Sequence, residues 1–187
     1  MRNEPPSCLG AGRVTGFDQS EELLALFSSR AAELGVEHEA VQGSWPDDAA
    51  RVGPADVVVS HHVAYNVPDL AGFAAELSAH ARNRVVIELT GRHPRYGANH
   101  LWRHFWDVER PEGPTAEDAV AVLREAGIEP AVERARRVTR VVARETRVAS
   151  VRRYLCLPPE RDPEIDALLG DDSNPTGAVV TLWWDVS

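Results

Sequence analysis

The sequence predicts an α/β fold: a doubly wound, mostly parallel sheet with helices on both faces. Two Val-rich apolar runs, Asp56–Ser60 and Arg84–Leu89, flank a stretch in which Leu70, Phe73, Ala74, Leu77 and Ala81 recur at helical spacing. A strand–helix–strand unit of this length is a right-handed parallel crossover. Strand and helix candidates also alternate through most of the remaining chain, the pattern of an α/β layout. Sheets of this kind bind ligands just beyond the carboxyl ends of their strands. Here His61, His62, Tyr65 and Asn66 follow the first run, and Thr90, Arg92 and His93 follow the second.

The elements follow in order. Arg13–Phe17 is a short apolar stretch that ends at Asp18. A helix begins at once: Ser20 can cap it, Glu21 and Glu22 suit its positive end, and Leu23, Leu24 and Phe27 form an apolar face. Gly35 stops that helix, Val36–Val41 reads as a weak strand, and Gln42-Gly43-Ser44-Trp45-Pro46 as a turn. The central unit follows, with its helix expected from about Pro68 to Arg82. Gly91–Gly113 is a long irregular stretch holding Trp102, Phe105 and Trp106, with a helical turn or two expected over Asn99–Phe105. Loops of this length are often lids or binding loops. Pro114-Thr115-Ala116-Glu117-Asp118 is a helix start, with Thr115 as cap and Asp118 in the reciprocating position. That helix ends at Gly127. Ala131–Arg140 reads as a strand, Glu145–Leu155 and Asp162–Leu169 as helices, and Thr176–Asp185 as a final strand.

Composition narrows the function. The chain has 187 residues, 43% of them hydrophobic, which fits one globular domain over residues 1–187. No run approaches the roughly 20 apolar residues of a membrane helix, and Met1–Ser7 does not read as a signal peptide; a cytoplasmic location is expected. The net charge of −9 argues against nucleic-acid partners, which need a basic face. Every basic residue outside the histidines is Arg, so a Schiff-base or phosphate-loop Lys is excluded. Cys8 and Cys156 form no metal or redox spacing. His100 and His104 share a helix face, but Asn99-His100-Leu101-Trp102-Arg103-His104 lacks the acidic residue of a zinc signature, and no metal is expected. Arg134–Arg153 reads as a solvated face.

Five pieces together resemble the class I S-adenosylmethionine-dependent methyltransferases, specifically small actinobacterial-type members. They are Val14–Asp18 (V-T-G-F-D), Gln42–Asp47 (Q-G-S-W-P-D), Ala55–Leu70, Val85–Thr90 (V-V-I-E-L-T) and Thr181–Asp185 (T-L-W-W-D). The resemblance implies a Rossmann-like sheet of seven strands whose last strand is antiparallel and inserted between two others. It also implies a first strand and a glycine-rich loop upstream of Val14. Only 17 residues precede Asp18, and Gly10-Ala11-Gly12 has no strand before it, so it reads as a turn. The expected domain is therefore N-terminally truncated, lacks its first strand, and carries Gly91–Gly113 as its lid.

The resemblance also implies roles. Asp18 would accept hydrogen bonds from ribose hydroxyls of S-adenosyl-L-methionine, since a carboxylate offers two acceptors; the competing role is helix capping. Gly43, Ser44 and Trp45 would surround the adenine, or Trp45 would plug a core edge. His61 would touch the cofactor and face the acceptor. The catalytic candidates are His61, His62 and Tyr65, because an imidazole near neutrality can take an acceptor proton. Asn66, His93, Trp102 and Phe105 are candidates for the substrate pocket; Trp102, Phe105 and Trp106 would otherwise cover the sheet. The function implied is methyl transfer to a small-molecule acceptor. The alternative is a catalytically inactive remnant or a dimerising interaction module, since unpaired strand edges invite pairing with a second copy. A different nucleotide-binding protein, such as a dehydrogenase, has less support from Ala55–Pro94.

Overall fold

The computed structural model describes residues 10–136, 142–170 and 178–186. β1 (Arg13–Asp18), α1 (Glu21–Glu33) and β2 (Glu37–Gln42) form the first unit. β3 (Ala55–His61), α2 (Leu70–Ala79) and β4 (Ala81–Thr90) form the central crossover. α3 (Asn99–Trp106), α4 (Ala116–Glu125), β5 (Ala131–Arg136), α5 (Arg144–Tyr154), α6 (Asp162–Leu168) and β6 (Ala178–Asp185) complete the chain. No helix among the described residues is long and apolar enough to cross a membrane.

The strands form two sheets rather than one. β1 and β2 pair in parallel. The other four lie in the order β3-β4-β6-β5, with β3 parallel to β4 and β6 antiparallel to both of its neighbours. The last strand is thus inserted antiparallel between two others, as expected. β1 and β3 each keep one edge without a ladder partner among the described residues. The unpaired edges fall between Val14 and Ala55, where the sequence reading has the first strand missing.

Alternation along β4 shows how the core is built. Val85, Ile87 and Leu89 are buried against Phe73, Ala74 and Leu77 of α2 and Val120 and Leu123 of α4, with Leu182 and Trp184 from β6. Helix ends follow the local chemistry. The Ser20 hydroxyl accepts the Leu23 N–H, and Asp69 accepts the Gly72 N–H. Thr115 and Asp118 form a reciprocal capping box on α4. Element boundaries differ from expectation most around α2 and at the ends of β5 and β6. α2 stops at Ala79, not Arg82, and β4 starts at Ala81, because the His80 carbonyl already accepts the Ala55 N–H at the foot of β3. The stretch expected as strand to Arg140 is strand to Arg136, and β6 starts at Ala178; residues 137–140 and 176–177 lie outside the described residues.

A second cluster stands apart from the sheet core. Ala98 and Leu101 pack with Val148 and Leu155 of α5 and Ile165 of α6, joined by Trp102, Phe105 and Tyr154. The stretch expected to be lid therefore contains α3, docked on α5 and α6 instead of on the sheet. His100 and His104 take part in this docking: His100 Nε2 meets the Leu168 carbonyl at 3.3 Å, and His104 Nε2 meets Glu164 Oε1 at 2.8 Å.

Candidate functional site

A cavity of ≈ 490 Å³ lies between β1 and β3, and the residues that end both strands, Asp18 and His61, line it. Asp18, Gln19, Gly43, Trp45, Ser60 and His61 line it, above a floor that includes Phe17, Phe73 and Leu77. Four of the five residues expected at the cofactor therefore share one cavity: Asp18, Gly43, Trp45 and His61. Ser44 does not line it; its hydroxyl accepts from the Gln19 amide, and its N–H donates to Asp48.

The two oxygens of Asp18 differ. Oδ1 accepts the Ser20 N–H at 2.8 Å, at the head of α1. Oδ2 has no hydrogen bond among the described residues, which leaves one acceptor of this cavity-lining carboxylate open. Helix capping therefore does not exhaust the side chain. Gly43 is needed for close packing: a Cβ there would stand 2.6 Å from Phe17 and 2.9 Å from Asp48. Trp45 sits edge-on to Phe17 of β1 at 5.5 Å and to His80 at the end of α2 at 5.0 Å, so its indole links the two.

Ser60 Oγ and Trp45 Nε1 are buried without a partner among the described residues. Both atoms are closed to solvent, so neither offers a hydrogen bond to a ligand in the cavity as the side chains stand. What the cavity offers the nucleoside half of S-adenosyl-L-methionine is the open Asp18 oxygen and the Trp45 ring. The methionine half finds less: Gly10 and Gly12 form an open turn, and a Cβ added at either would meet nothing within 4 Å.

Next to the cavity, the chain turns through His62, a non-glycine residue at φ 58°. This left-handed conformation is unfavourable for a side chain with a Cβ, and here it aims the imidazole between two partners. His62 Nε2 faces Glu88 Oε1 at 3.3 Å, and His62 Nδ1 is 2.8 Å from the Tyr65 hydroxyl. A carboxylate only accepts, so the neutral ring carries its proton on Nε2 and Nδ1 accepts from the Tyr65 O–H. Burial pushes the Tyr65 phenol above its ordinary value; hydrogen bonds with the Thr90 side chain and backbone pull it back, and the Glu88 charge raises it. The phenol is therefore neutral near pH 7 and keeps the proton it donates. His93 packs edge-on to the Tyr65 ring at 5.5 Å.

The carboxyl ends of β3 and β4 thus bring together His61, His62, Tyr65 and His93. Asn66 is exposed on the following 3-10 turn and stands outside this ring of contacts. Phe105 lies in the helical cluster with the Arg161 guanidinium over its ring, and Trp102 packs on Tyr154 there. Glu88 is the residue that sequence reasoning missed. Its signal was a lone carboxylate on an apolar strand, two residues before the strand's end.

Residues 5–86 match the family model of the methyltransferase domain. No curated protein matches the chain. Among solved structures, a candidate methyltransferase from Bacillus halodurans C-125 aligns with a TM-score of 0.55 at 14% identity, over 92% of this chain and 82% of that one. Magnesium protoporphyrin IX methyltransferase from Synechocystis PCC 6803, with S-adenosylhomocysteine bound, aligns with a TM-score of 0.59 at 13% identity, over 97% of this chain and 67% of that one. An S-adenosylmethionine-dependent methyltransferase from Thiobacillus denitrificans, in complex with S-adenosyl-L-homocysteine, aligns with a TM-score of 0.50 at 18% identity, over 91% and 75%. The fold is that of the class I S-adenosylmethionine-dependent methyltransferases, as the sequence resemblance implied.

Proposed function

We propose that this chain, with its class I methyltransferase fold, transfers a methyl group from S-adenosyl-L-methionine to a small-molecule acceptor. One observation supports this above the others: Asp18, Gly43, Trp45, Ser60 and His61 come from three separate segments and line a single cavity at the carboxyl ends of parallel strands. The sulfonium cofactor supplies an activated methyl group, so the protein's task is to place the acceptor in line and to exclude water. Asp18 Oδ2 would hold a ribose hydroxyl, and Trp45 would wall the base with its ring.

The acceptor side falls to the turn after β3. A hydroxyl acceptor must lose a proton as its oxygen takes the methyl group. The Tyr65 oxygen can receive that proton while its own passes to His62 Nδ1. The resulting imidazolium faces the Glu88 carboxylate, which stabilises it. His61, at the cavity wall, would touch the cofactor and face the acceptor.

Titration calorimetry with S-adenosylhomocysteine tests the reading. Saturable binding is expected, and Asp18→Ala should weaken it roughly tenfold through loss of a charge-assisted hydrogen bond. A folded protein that takes up no ligand at millimolar concentration overturns the proposal and leaves the inactive remnant.

A further inference from the structure

The stretch Gly91–Gly113 carries four arginines, at 92, 95, 103 and 110. Two of them have acidic partners: Arg92 lies 3.8 Å from Glu112, and Arg103 lies 2.6 Å from Glu109. Arg95 and Arg110 have no ion pair among the described residues. Both are exposed, and both are stacked on aromatic faces. The Arg95 guanidinium carbon is 4.5 Å from the centroid of Tyr154. That of Arg110 is 5.6 Å from the same ring and 5.2 Å from the ring of Trp102. Tyr154 and Trp102 pack edge to face, 5.6 Å apart, so the platform under the two cations is a single aromatic unit.

Stacking holds a guanidinium by its flat face and leaves its rim of N–H donors open. Both charges act on the same imidazole, His93, and neither guanidinium is within ion-pair distance of a carboxylate among the described residues, in a chain of net charge −9. His93 stands beside them. Its Nδ1 accepts the Arg95 backbone N–H at 3.1 Å, so the neutral ring keeps its proton on Nε2 and adds a third donor. Burial, with the charges of Arg110 and Arg95, holds this imidazole below its ordinary value. His93 also packs edge-on to the Tyr65 ring, so it links the Arg95 segment to the ring of the Glu88–His62–Tyr65 chain.

We propose that Arg95 and Arg110 form a carboxylate clamp, and that the methyl acceptor is a small organic anion held by them with its reacting hydroxyl toward Tyr65. This rests on the methyl-transfer reading and adds the acceptor's chemical class. A planar carboxylate matches the guanidinium fork and can take two N–H bonds from it. His93 contacts both the Arg95 backbone and the Tyr65 ring, so a hydroxylated aromatic acid, with a carboxylate at one end and a hydroxyl at the other, is the simplest molecule of this class.

The probes are 4-hydroxybenzoate, 4-hydroxycinnamate and their methyl esters, which keep the hydroxyl and lose the charge. Each is titrated into the protein with and without saturating S-adenosylhomocysteine, following tryptophan fluorescence. At least one acid should bind tenfold or more tightly than its ester. The preference should vanish in Arg95→Gln/Arg110→Gln and survive in part in Arg110→Lys, which keeps a charge and so separates lost recognition from lost folding. Melting temperature and S-adenosylhomocysteine affinity report the integrity of each variant. Equal binding of acid and ester, or a preference that persists in the double Gln variant, overturns the clamp. If S-adenosylhomocysteine binds while neither acid does, the clamp falls and methyl transfer stands. If an acid binds with the expected preference while S-adenosylhomocysteine does not, the anion site stands and methyl transfer falls.

Discussion

His62 holds a left-handed backbone at φ 58° and places its ring between Glu88 and Tyr65. Glycine would adopt that backbone without penalty, so the imidazole is kept at a conformational cost. Two substitutions separate strain from contact. Both His62→Gly and His62→Ala remove the imidazole, but only Gly relieves the backbone. His62→Gly should be more stable than His62→Ala by about 1 kcal/mol in urea denaturation. Equal midpoints would mean that the turn carries no strain. His62 and Tyr65 could be found from the sequence because both follow an apolar strand in a polar turn. Glu88 could not be tied to them, since its contact with His62 crosses from one strand to its neighbour.

At the level of elements, α4 shows how much a local code can determine. Thr115 and Asp118 sit three residues apart, and the structure closes both bonds of the capping box, with Asp118 Oδ2 accepting the Thr115 N–H at 2.7 Å. Backbone and hydroxyl hydrogen bonds from Thr115 hold the Asp118 carboxyl below its ordinary value. Thr115→Ala should cost about 1 kcal/mol of stability in a denaturant titration; a change within error would show that tertiary packing alone holds this helix start. α3 is the opposite case. Its aromatic residues signalled burial, yet nothing local says against what. Trp102 and Phe105 meet Tyr154 and the α5–α6 pair, some fifty residues further along the chain.

Across the whole molecule, the two sheets divide the protein into unequal parts. The β3-β4-β6-β5 sheet carries the large core, with Val85, Ile87, Leu123 and Leu182 almost wholly buried. In the β1–α1–β2 unit only Leu24 and Ala31 are buried, while Leu23 and Leu26 are 54% and 67% exposed. On β3, Val57 and Val59 are also exposed, at 49% and 54%. A unit with so little buried apolar surface opens at lower free energy than the core. Native-state hydrogen exchange should therefore find the amides of Val14–Phe17 at least about tenfold less protected than those of Val85–Leu89; equal protection would make the molecule one cooperative unit. The chain by itself determined the alternation of strands and helices, their caps, and the polar turns that follow β3 and β4, because these depend on periodicities and contacts within a dozen residues. Only the tertiary structure decided the break between the sheets, the shared cavity that Asp18 and His61 line across it, the Glu88–His62–Tyr65 contact and the stacking of Arg95 and Arg110 on Tyr154. Each of those joins residues from different elements, and their proximity is set by how the elements pack, which no local pattern encodes.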